Sequence, residues 1–180
     1  PISLREFGFG PRTLDFFAGR EAFVGAVGVP DLPDAKGFSR PAANCDNGDY
    51  FNLPDYPQSA EAAQQALWAC RNLIFNAITK TIARSGQILG ETGKLDTREI
   101  PNAGGCKFGI LGRPLKCQLL VLFGQAIHAS QDFYSHTNWV DIPDKLSHST
   151  SNPPGLGNTR PAAFIDPAVR AQFPLGLISG

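Results

Sequence analysis

The chain has 180 residues, enough to bury a full hydrophobic core and close to the usual size of one domain. Its 16 basic and 16 acidic side chains cancel, which excludes a net field drawing it onto nucleic acid or an anionic membrane, so any polyanion would have to be recognised locally. No apolar run reaches the roughly 20 residues needed to span a bilayer. The stretch from Cys117 to Ile127 is too short and is followed at once by His128 and Asp132. Pro1 stands where an initiator Met would, so removal of an upstream segment is expected.

The first forty residues set Phe7, Phe9, Phe16, Phe17, Phe23 and Phe38 among glycines and prolines. The spacing of Leu14, Phe17 and Glu21 predicts a short helix from Thr13 to Val24, with the aromatics plugging the core. From Pro30 to Pro57 the density of Pro, Gly, Asp and Asn predicts an ordered loop. A long helix starts at Ser59, a capping residue followed by the acid Glu61, and runs to about Arg84. One face of it carries Ala63, Ala66, Leu67, Cys70, Leu73, Ile74, Ala77, Ile78 and Ile82, and it should stop near Gly86. After a Gly-rich connector ending at Pro114, a second long helix is expected from Leu115 to Ser135. Cys117, Leu120, Val121, Gly124, Ile127 and His128 share its face, and Gly124 would let another backbone approach closely. Beyond it the chain is rich in proline and irregular. The reading is one domain over residues 1–180, with 158–180 a candidate irregular tail, and neither an internal repeat nor a low-complexity tract occurs.

Four cysteines, Cys45, Cys70, Cys106 and Cys117, are an even number without the close pairs of a thiolate zinc knuckle. Disulfides are expected, and with them an oxidising, secreted setting. Of three possible pairings the preferred one is Cys106 with Cys117, across a connector able to fold back as a hairpin, and Cys45 with Cys70, clipping the preceding loop to the first long helix.

His128, Asp132 and His136 recur every four residues, so they drift only about 80° around a helix and are expected to converge on one edge, where one ion could touch all three or two nearby ions could share them. Imidazole and carboxylate donors so placed suit zinc and leave positions for water. The same spacing also serves a hydrogen-bonded network or a half-exposed ion pair with no metal. The third and last histidine, His148, lies in a polar loop, as a further ligand or as a solvated side chain. Asp46, in the turn NCDNGD, is either a carboxylate presented rigidly to that helix edge or the acceptor of an Asx turn. Phe133, Tyr134 and Trp139 beside the motif either line a substrate slot or belong to the core. Nucleophile elbow, phosphate-cradling loop and dinucleotide fingerprint are all missing from the sequence.

The segment FGQAIHASQDFYSHTNWVD, Phe123 to Asp141, resembles the signature of the HET-C-like proteins of fungi and bacteria. These are distantly similar to the zinc-dependent phospholipase C and S1/P1 nuclease superfamily. The fragments CDNGDYFNLPDYPQS, GCKFG with its following KC, and SNPPGLG resemble small secreted members of the group, so the likeness covers about Asn44 to Gly157. It implies an all-α fold, a helical bundle like that of zinc-dependent phospholipase C with long disulfide-tethered loops. It further implies that His128 and Asp132 bind metal with a carboxylate matched by Asp46, that His136 matches a further ligand, and that His148 matches the next histidine. Because nothing before His128 is a histidine, the expectation is one zinc, at most two, or another divalent ion. The implied activity is hydrolysis of a phosphoric ester, a phospholipid or small phosphodiester, by metal-activated water, with Asp132 or Asp46 orienting or deprotonating that water. The alternative is a non-catalytic secreted binding module on the same scaffold.

Overall fold

The computed structural model describes residues 10–19, 24–32, 41–50, 57–96, 106, 114–143, 155–166 and 173–179. Among these residues the architecture is all-α, with four α-helices: α1 (Pro11–Ala18), α2 (Pro41–Asn44), α3 (Ala60–Ser85) and α4 (Leu115–His136). Extended pairing among them is limited to the single bridges Tyr50 with Leu177, Leu89 with Leu95 and Thr137 with Ser179. Contacts divide the chain into two compact units, Pro1–Ser39 with Asn76–His128, and Arg40–Phe75 with Ala129–Gly180, so each long helix supplies residues to both.

In the first unit α1 begins with Pro11 at its first position, where a missing N–H costs nothing. It ends six residues short of the expected Val24. Gly19 turns left-handed at φ 83° and its N–H closes on the Asp15 carbonyl at 2.9 Å, a helix stop that only glycine makes without strain. The chain then folds back, and Ala26 N–H donates to the Phe16 carbonyl at 2.9 Å. Phe17, Ala26, Cys106, Cys117 and Leu120 form the buried core, with Phe16, Val27, Phe123 and Ile127 packed against it. A glycine inside a helix costs about 1 kcal/mol relative to alanine. Gly124 of α4 is used for contact, since a β-carbon there would run into the Ala26 carbonyl. The close backbone approach expected at this position is therefore present.

The second unit holds the first half of α3. Ser59 caps it, its Oγ accepting the Ala62 N–H at 3.2 Å, and Ala63, Leu67, Cys70 and Ile74 are buried along one face. Packed rings complete the core: Phe133 meets Phe164 at 5.0 Å, and Phe164 meets Phe173 at 4.6 Å, edge to face. Phe133 is fully buried, and Trp139 is nearly so. Both are core residues, each polar neighbour being satisfied: Trp139 Nε1 donates to the Arg160 carbonyl at 3.0 Å, and Tyr134 Oη accepts the Ala162 N–H at 2.9 Å. The described part of the proline-rich C-terminal region is integral to this unit, with Phe164, Phe173, Leu177 and Ser179 all buried.

Both disulfides have the preferred pairing, Cys45 with Cys70 and Cys106 with Cys117. Each lies within one unit.

Candidate functional site

The turn after α2 is held from several sides. Cys45 and Asn47 sit at φ 57° and 61°, a left-handed backbone that asparagine tolerates better than most residues. Asp46 N–H donates to the Pro41 carbonyl at 2.9 Å, and Gln58 Nε2 donates to the Asn47 carbonyl at 2.6 Å. Ser179 adds the deepest tie: its buried hydroxyl donates to the Cys45 carbonyl at 2.6 Å and accepts the Gly48 N–H at 2.8 Å, while its own N–H donates to Asp49 Oδ1 at 2.8 Å. Gly48 admits this packing, because a β-carbon there would lie 2.6 Å from Leu67 and 2.7 Å from Ser179 Oγ. With the Cys45 disulfide to α3, these bonds leave the Asp46 side chain projecting from a fixed backbone.

His136, the last residue of α4, receives it. Its Nδ1 is 2.9 Å from Asp46 Oδ1, and the two side chains keep 40% and 28% of their exposure, so water reaches the pair. Asp132 stands one turn earlier on α4 and is half-buried. One further turn back, His128 is buried, and its Nε2 lies 3.4 Å from Asp31 Oδ1 within the first unit. Sequence spacing did not point to Asp31, an exposed carboxylate ending a Val-Pro-Asp helical turn. Nor did it point to Ser179, near the end of the chain.

α4 runs unbroken through His136, so the three motif residues occupy successive turns as expected. The structure brings His136 to Asp46 and His128 to Asp31. Among the described residues no group of three His, Cys, Asp or Glu side chains stands close enough to hold one ion. His148 lies outside the described residues, as do Glu21, Asp55 and Asp144. Among the described residues, no helix is long and apolar enough to cross a membrane.

No family model, curated protein or solved structure matches this chain.

Proposed function

We propose that this chain is a metal-dependent phosphoric ester hydrolase, acting on a phospholipid or small phosphodiester, with His136 and Asp46 at its chemical centre. The observation that carries this reading is the 2.9 Å approach of His136 Nδ1 to Asp46 Oδ1 on a braced turn. With Nδ1–H donating to Asp46, a neutral His136 ring carries its lone pair on Nε2. Histidines that bind metals are commonly oriented in this way, the other ring nitrogen donating to a carboxylate.

The donors suit zinc in kind, imidazole nitrogen and carboxylate oxygen, and also admit another divalent ion. His136 Nε2 would hold it with Asp132 as the carboxylate one turn away; since among the described residues no third such side chain joins them, water and substrate would fill the other positions, which favours one ion over a larger cluster. When bound, the ion supplies a Lewis acid for the phosphoryl oxygen and acidifies its water. The protein's own contribution is to fix the ring plane of His136 through Asp46. The free oxygen of Asp132 would orient the attacking water and take its proton. The two disulfides support a secreted, oxidising setting.

Elemental analysis of protein purified without chelator or nickel resin, with hydrolysis of a phosphatidylcholine analogue and a generic phosphodiester, tests the proposal. The expected result is activity that chelator abolishes and zinc restores, and that His136→Ala and Asp132→Asn lower by orders of magnitude in kcat/KM. Wild type indistinguishable from both variants on both substrates, with no zinc bound at micromolar concentration, would overturn it. The reading as a non-catalytic binding module would then take its place.

A further inference from the structure

The first unit contains an open pocket of about 530 Å³, within the roughly 300–1,000 Å³ typical of small-molecule sites. Its walls come from three helices. Ile78, Thr81 and Ile82 lie on α3; Leu119, Leu120 and Phe123 lie on α4; Thr13 and Phe17 lie on α1. The wall is almost wholly hydrocarbon, and the Thr81 hydroxyl is already engaged with the Ala77 carbonyl at 2.8 Å. Sequence periodicity assigns Ile78 and Ile82 to the core stripe of α3, yet they keep 36% and 68% of their exposure. Apolar surface left uncovered at the mouth of a concavity marks a ligand site more often than chance exposure.

Among the described lining residues Lys116, second residue of α4, is the only one that carries a charge. A lysine lays its methylene stem along apolar surface and keeps its ammonium toward water, so the described lining combines a hydrocarbon wall with one cation and no anion. At about 30 Å³ per group, the volume holds one chain of roughly a dozen to eighteen heavy atoms, not two. We infer that this pocket binds a single long-chain fatty acid, its alkyl chain against Ile78, Leu119 and Phe123 and its carboxylate paired with Lys116. The inference does not depend on the reading of Asp46 and His136.

The test is displacement of a fluorescent long-chain carboxylate from the full chain by hexadecanoate, octanoate or hexadecanol. Micromolar binding of hexadecanoate is expected, at least tenfold tighter than that of either the short acid or the neutral alcohol. Lys116→Gln should weaken hexadecanoate about tenfold and leave hexadecanol unchanged, whereas Ile82→Asp should weaken both. Acid and alcohol binding equally, each insensitive to Lys116→Gln, would overturn the assignment. So would a chain that binds no probe but sediments as a dimer split by Ile82→Asp, because a second copy would then cover this face.

Discussion

Asp46 and His136 stand 90 residues apart in sequence and 2.9 Å apart in space, and the contact is made by exposed side chains on buried supports. The supports are the Ser179 bonds and the Cys45 disulfide on one side, and the Phe133 packing of α4 on the other. Exposed ion pairs contribute only about 0–1 kcal/mol, so the pair itself adds little to the fold.

Asp46→Asn and His136→Ala are therefore expected to change unfolding free energy by less than about 1 kcal/mol in urea titration, while metal content and hydrolysis fall. A loss of about 3 kcal/mol in either variant, with metal content unchanged, would mark the pair as structural.

The disulfides should separate in their effects. Closing spans of 25 and 11 residues restricts the unfolded chain by about 3.5 and about 2.8 kcal/mol respectively, so the double variants Cys45→Ser/Cys70→Ser and Cys106→Ser/Cys117→Ser should lose similar stability. Only the first releases the backbone next to Asp46. Metal affinity measured under conditions where both remain folded should drop in the first and hold in the second. Equal metal affinity in both would show that the Asp46 turn does not depend on its clip. Intact mass should rise by four hydrogens on reduction of the wild type.

The space beside Gly124 is filled by the Ala26 carbonyl, whereas a β-carbon on Gly86 would meet nothing within 4 Å. Gly124→Ala should thus destabilise by about 1–3 kcal/mol through overpacking, even though alanine is the better helix former. Gly86→Ala should be neutral or stabilising by up to about 1 kcal/mol. Thermal or urea denaturation of the two variants measures the contrast, and a stabilised Gly124→Ala would show that the helix and the Ala26 segment part easily.

Sequence exposes what is periodic or local. α3 and α4 were legible within a residue or two because Ser59, Pro114 and the apolar spacing are local signals, and the hairpin-like connector foretold the pairing of Cys106 with Cys117. The end of α1 was not, since a helical spacing through Glu21 gives no sign that Gly19 will turn left-handed. Ile78 and Ile82 show the limit of periodicity, which finds an apolar stripe and is silent about what covers it. Spacing also placed His128, Asp132 and His136 along one edge without revealing that His128 would turn to Asp31 and His136 to Asp46. Those partners are chosen by tertiary structure, and the braces from Ser179 depend on a contact with |i−j| of 134.

The last prediction joins the chain end to the site. Asn138, 4% exposed, donates from Nδ2 to the Gly176 carbonyl at 2.9 Å and accepts the Ile178 N–H on Oδ1 at 3.0 Å, while its backbone N–H reaches the Ile178 carbonyl at 3.3 Å. This one side chain imitates a strand partner for a segment that has almost no regular pairing of its own. Asn138→Ala strands a donor and an acceptor, each worth about 1–3 kcal/mol if it stays buried, and the cheaper response is for residues 176–179 to lift into water. Ser179 would lift with them, removing its bonds to Cys45 and Gly48. Hydrogen exchange should accordingly quicken at Ile178, Ser179 and Gly48 and stay slow at Leu67 and Ile74 in α3, since local opening leaves the helical core shut. Metal affinity should fall in the same variant although no candidate ligand has been altered, because Asp46 would lose its brace. Quickened exchange with undiminished metal binding would uncouple the chain end from the site, and unchanged exchange at Ile178 would show that Asn138 is not the anchor.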